Sequence, residues 1–214
     1  MELTKEQIQR VNKYLDLKGV KFIDFRVEIF DHIVSQIEQK LEVENTDFET
    51  IFYQVTDQWN KQLNSSSSFI FGLAYSAPKV VMNKAKKVFK PFFFFTLVLC
   101  ILPGILMSFL DLKISPQVVN RTSKTINVIA LLLSSIWLFT TIKTSRDKIK
   151  TVYSFIIKTQ SLTIIYVPLM VLTSSIKDGL TITLFLVFVS MVMLNVIFYK
   201  KHQKEKEKYK LLVG

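Results

Sequence analysis

The segment Lys79–Leu110, KVVMNKAKKVFKPFFFFTLVLCILPGILMSFL, decides the fold. Its first twelve residues carry five lysines, Lys79, Lys84, Lys86, Lys87 and Lys90, and the 20 residues from Pro91 to Leu110 carry no charge. As a helix those 20 residues extend about 30 Å, the thickness of a bilayer's hydrocarbon core. Pro103-Gly104 within them predicts a kink. The segment therefore reads as a first membrane span with a basic collar, and the five lysines are expected at the membrane interface.

Working downstream, three more apolar runs follow. The spacing predicts spans over 91–110, 125–142, 157–176 and 180–199, with a polar loop over Asp111–Lys124 and a basic loop over Lys143–Lys150. The third run contains Lys158 and Gln160, so Lys158 must snorkel for that run to cross, and Pro168 should bend it. The turn Lys177-Asp178-Gly179 precedes the fourth span, and residues 200–214 form a basic tail headed by Lys200 and Lys201, expected as a solvated helical extension. Orientation follows from lysine and arginine near the span ends. Lys79–Lys90, Lys143–Lys158 and the tail carry 5, 5 and 6 of them, whereas Lys113, Arg121 and Lys124 in one loop and Lys177 in another are all that the opposite side receives. Sixteen basic residues against four predict four spans with both termini cytosolic.

Upstream the character changes. Residues 1–78 hold 8 basic and 12 acidic side chains, leaving 20 and 5 for the remainder of the chain. Because the positive excess lies in short segments between apolar runs, it reads as membrane orientation, and nucleic-acid binding is not expected. Thr4-Lys5-Glu6-Gln7 fits a capping box, with Leu3 and Ile8 placed as a hydrophobic staple, so a helix is predicted over 4–17, stopped by Gly19. A second is predicted over 22–41 from Phe22, Phe25, Ile29, Ile33, Ile37 and Leu41. A third begins at Thr46, whose Thr-x-x-Glu repeats the capping pattern. Residues 1–64 thus read as a small cytosolic three-helix domain, and 65–90 as a polar linker (Ser65–Ser68) followed by a basic interfacial segment. The fold class is all-α, the small domain preceding a four-helix transmembrane bundle. Met1–Gly19 is charged and amphipathic, unlike a secretory signal.

Tyr14-Leu15, Glu28, Asp31-His32-Ile33, Glu38, Phe48 and Trp59 together give the first 64 residues a pattern that resembles the HAAS-like and permease-prefix helical domains of bacterial multi-pass membrane proteins. That resemblance implies a role in regulation or interaction rather than catalysis.

Chemistry-bearing residues are few. Asp24, Glu28 and His32 fall at i, i+4 and i+8 on one helical face, a spacing that can present ligands to a divalent metal. The competing reading is a solvated face on which Glu28 and His32 form an ordinary i,i+4 pair. It is preferred, because a bundle site draws ligands from facing helices and no second Glu-x-x-His is present. With two histidines and the single Cys100, and without a phosphate-binding glycine loop, HExxH or GxSxG motif, no enzyme activity and no cofactor are expected. Asn127, Ser134, Ser135, Ser190 and Asn195 are the polar residues of the spans, expected as interhelical hydrogen-bonding groups.

The functional expectation is a non-enzymatic anchor or regulatory protein of the cell inner membrane. It contacts membrane lipids, and its front domain binds a protein partner or forms a homo-oligomer. A small transporter or channel subunit is the alternative, and a metal-responsive sensor built on Asp24, Glu28 and His32 a weaker one.

Overall fold

Thr4 opens the first helix as its spacing predicts. In the computed structural model, which describes residues 2–44, 46–109, 115–173 and 180–213, its hydroxyl accepts the Gln7 N–H (3.3 Å) while the Gln7 side chain accepts the Thr4 N–H (2.8 Å). Helix α1 spans Lys5–Leu17, α2 Ile23–Val43 and α3 Phe48–Leu63. The third starts one residue later than the sequence suggests. Asp47, rather than Thr46, is its N-cap, accepting the Thr50 N–H (3.1 Å) and hydroxyl (2.7 Å), and a carboxylate also suits the positive end of the helix. Those two donors hold the Asp47 carboxyl below its usual range.

The three helices bury Val11, Leu15, Ile29, Ile33, Ile37, Ile51, Phe52 and Val55 at their centre. Between α1 and α2 the chain turns at Gly19 (φ +68°), a conformation open to glycine at no steric cost. Arg26 locks that turn, donating to Asp16 (2.6 Å) and to the Val20 carbonyl (3.2 Å). Tyr14 Oη lies 3.0 Å from the Thr56 carbonyl, and burial pushes its pKa up to about 12. Removing the first cap with Thr4→Ala is expected to cost about 1 kcal/mol, read as a lower melting temperature by circular dichroism.

Residues 65–78 do not form a free linker. Ser65–Ser68 (β1) pairs antiparallel with Gly72–Pro78 (β2), in register Ser65↔Pro78 and Ser66↔Ala77, with a bulge at Ser67/Ser68 and a 3-10 turn over Phe69–Phe71. The serine run gave no alternation of polar and apolar residues from which to predict a strand. The Lys79 N–H donates to the Asn64 carbonyl, closing the hairpin's base.

From Lys79 the chain is helical again. Helix α4 runs Lys79–Phe109 through both Pro91 and Pro103, so the basic block continues the first span's helix. Helix α5 covers Pro116–Arg146, beginning well before the expected Thr125. Ser115 caps it and Pro116 sits at its first position, a start signal obscured by the charges of Arg121 and Lys124. The third run is interrupted. Helix α6 (Val152–Thr159) gives way at Gln160 to a 3-10 stretch, Ser161–Ile165, and then to α7 (Tyr166–Thr173). Pro168 lies in the first turn of α7 and has no N–H for the Ile164 carbonyl, which falls within the 3-10 stretch, so it keeps the two helices from joining there. Helix α8 runs Leu180–Val213, carrying the fourth span into the tail. Lys113, Lys177, Asp178, Gly179 and the expected end of the third span lie outside the described residues.

The fold is all-α, and the described residues include four helical segments long and apolar enough to cross a membrane: Lys79–Leu106, Pro116–Arg146, the interrupted Val152–Thr173 and Leu180–Lys210. Phe94, Phe95, Val98, Ile101, Leu131 and Leu132 are exposed on them, as lipid-facing positions are. The chain is a multi-pass membrane protein by this measure. It divides into two compact units. One joins residues 1–86, 148–152 and 203–214, and the other holds 87–147 and 153–202. The second unit is centred on Ala130, Trp137, Val167, Met170, Phe188 and Val192.

Candidate functional site

The first unit holds a junction that no local pattern in the sequence announces. Helix α2 begins at Phe22, which offers no side-chain cap. Its Ile23 N–H instead donates to the Lys150 carbonyl (2.8 Å), and Phe22 and Lys150 form an isolated parallel bridge. One residue on, the Asp24 carboxylate accepts the Val152 N–H through both oxygens, at 3.2 and 3.0 Å. Val152 is the first residue of α6, and the first N–H groups of a helix have no partner within it. Asp24 is therefore an N-cap supplied from 128 positions away. Each of the two helix starts satisfies a backbone group at the other.

Burial of this carboxylate has an electrostatic cost that its partners only partly offset. Desolvation is the largest influence and lifts the Asp24 pKa from 3.8 to about 6. The Val152 N–H and the Lys84 ammonium pull it down, and Glu205 in the tail adds to the rise. Lys84 Nζ also stands 5.9 Å from the centre of the Phe25 ring. Tyr209 of the tail is buried in the same unit, so the tail is not wholly solvated.

The other members of the expected acidic face go elsewhere. Glu28 is exposed one turn further along, and His32, also exposed, stacks on Trp59 of α3 with ring centres 6.4 Å apart. Asp24 thus serves the start of α2 and His32 its middle. Among the described residues no three His, Cys, Asp or Glu side chains converge as metal ligands. The lysines of the basic collar, Lys79, Lys84, Lys87 and Lys90, are exposed and Lys86 is half-buried. Lys200 and Lys201 are exposed as well, Lys201 lying over the Tyr153 ring at 5.6 Å.

In the second unit, Asn195 bonds between helices as the sequence suggests. Fully buried on α8, it accepts the Thr140 hydroxyl and donates to Thr141 Oγ1 (3.1 Å), both on α5. Ser134, Ser135 and Ser190 turn back to carbonyls of their own helices, Leu131 for the first two and Val187 for the third. His202, also fully buried, lies 3.0 Å from Asp147 at the end of α5. Asn127 Oδ1, Trp137 Nε1 and both amide atoms of Gln160 are buried without a hydrogen-bond partner among the described residues. Asn195→Ala is expected to destabilise the bundle by about 0.6–1.7 kcal/mol, the range for hydrogen bonds between membrane helices. Unfolding by detergent titration measures it.

No family model, no curated protein and no solved structure matches this chain.

Proposed function

We propose that this chain is a non-enzymatic anchor and regulatory protein of the cell inner membrane, with both termini cytosolic and a helical front domain that binds a protein partner or a second copy of itself. The observation that carries the reading is the Asp24 cap on Val152. Through it, the front domain holds Val152, the residue at which the third span's helix starts, so a partner that shifts α2 changes what Val152 rests on. Two further points support the reading. The N-terminal residues, the 148–152 loop and the tail group in one compact unit, which supports their lying on one side of the membrane. The resemblance of residues 1–64 to membrane-protein prefix domains points to regulation too. Affinity capture of the detergent-solubilised full chain tests the partner. A stoichiometric companion or a dimer is expected, and a chain that stays alone and monomeric contradicts it. Thiol labelling at introduced cysteines from either side of the membrane tests the orientation.

A small transporter or channel subunit is the second reading, favoured by the interrupted third span and the unpartnered amide of Gln160. Solute flux through proteoliposomes that is lost in Gln160→Leu would support it; flux at the level of empty vesicles removes it. The weaker metal-responsive reading falls if calorimetry finds no divalent-ion binding.

A further inference from the structure

The hairpin over residues 65–78 has no task in the reading above, and its chemistry is unusual for a surface element. Its sequence, SSSSFIFGLAYSAP, contains no charge. At its closed end Phe69 is 82% exposed and Leu73 is 73% exposed, on either side of Gly72, whose φ of +84° makes the turn. A two-stranded ribbon is marginal in water by itself, and one ending in bare apolar side chains gains by packing on something.

The surrounding charge says what that something is. From Gln58 through Leu110 the chain has no acidic residue, while Lys61 and the five collar lysines fall within that stretch. A protein partner with an apolar pocket would place no such requirement on the flanks. An anionic lipid surface does, attracting each nearby lysine and repelling each carboxylate. Reach is also adequate. As a helix, Lys79–Lys90 rises about 18 Å from the start of the uncharged span. The seven-residue β2 covers about 20 Å or more in the extended form. β2 is therefore long enough to reach headgroup depth from the start of the collar. Phenylalanine and leucine at that depth trade water for acyl chain, and the uncharged strands cost little to bring there.

We propose that the closed end of this hairpin, Phe69 and Leu73, docks into an anionic lipid surface. The element would act as a second membrane contact beside the first span. The inference rests on the reading of Pro91–Leu110 as membrane-crossing, and the test separates the two.

The test uses full-length protein with Cys100→Ser, reconstituted in phosphatidylethanolamine and phosphatidylglycerol vesicles with bromine on part of the acyl chains. A bimane label is placed at Phe69→Cys, Leu73→Cys, Phe95→Cys or Val43→Cys in turn. Phe95 is exposed on the first span and Val43 is 85% exposed at the end of α2. Labels at 69 and 73 are expected to emit blue-shifted light and to be quenched by bromolipid as strongly as the label at 95. The label at 43 stays water-like and unquenched. If 69 and 73 behave as 43 while 95 is quenched, the hairpin does not dock and the proposal is overturned. Blue-shifted emission at 69 and 73 without bromolipid quenching also overturns it, in favour of a contact with another copy of the chain. Failure of quenching at 95 instead overturns the membrane-crossing reading on which the proposal stands.

Discussion

Near pH 4, replacing Asp24 by alanine is expected to destabilise the first unit by about 1–3 kcal/mol, the cost of leaving the buried Val152 N–H without an acceptor. Hydrogen exchange of the peptide that contains Val152 should report it directly, as exchange faster by about tenfold to a hundredfold for that free energy. The difference should shrink at neutral pH. Asp24 titrates near 6 in the folded chain and at 3.8 when free. A carboxyl with a raised pKa contributes most below its unfolded value, and that contribution is lost as pH rises through the folded one. Between about pH 3 and pH 7 the parent protein therefore gives up about 3 kcal/mol, from a shift of about two units at 1.36 kcal/mol each, with about 2 kcal/mol of it falling between pH 4 and pH 6. Asp24→Asn keeps an oxygen for Val152 and drops the charge. At neutral pH it should be more stable than the parent by up to about 3 kcal/mol, with no loss of stability between pH 4 and 6. An unchanged pH profile in Asp24→Asn would show that the carboxylate is not buried as described.

The second large effect belongs to Phe198, fully buried on α8. Its ring is met by Phe92 at 5.7 Å edge-on, by Tyr153 at 6.1 Å in a stack and by Phe89 at 6.4 Å, so three aromatic side chains from α4 and α6 converge on it. Phe198→Ala opens a cavity that none of these rigid rings can fill. The expected loss is about 3–5 kcal/mol, as for buried phenylalanines elsewhere, with further loss of the aromatic pair geometry. Phe198→Leu should recover much of it by restoring volume. Phe95→Ala, at a lipid-facing position 55% exposed, serves as the control and should change stability by no more than about 0.5 kcal/mol. Detergent-titration unfolding of the three variants decides the order.

These two sites show where the sequence is informative about this fold and where it is silent. The apolar periodicity of α1 to α3 and the Thr4 capping box are local, within four residues, and they were legible. So were the four long apolar runs, because a bilayer demands about 20 residues at a stretch. The interruption of the third was legible in part, through Pro168. The junction at Asp24 was not. An aspartate in the first turn of α2 looks like any residue favoured by the helix dipole, and nothing near it names Val152 as its partner. The hairpin escaped for a different reason, since four serines carry neither alternation nor β-branching. His202 and Asp147 sit among solvated charges in the sequence, and only the fold makes one of them fully buried. Asp24, Glu28 and His32 share a helical face on paper, yet their partners are a backbone N–H, solvent and an indole ring.

The claim on which the rest depends is that the front domain is held to the 148–152 loop at the head of the third span. Phe22 and Lys150 are bridge partners there, and the spacing of paired strands, about 4.8 Å, lies within the Cα range of disulfides. In a chain carrying Cys100→Ser, the pair Phe22→Cys and Lys150→Cys should oxidise in native membranes to an intramolecular disulfide. It would appear as a faster-migrating band that reducing agent removes, while Lys5→Cys with Lys150→Cys gives none. Free, alkylatable thiols at both positions 22 and 150 under the same oxidation would contradict the junction, and with it the coupling proposed here.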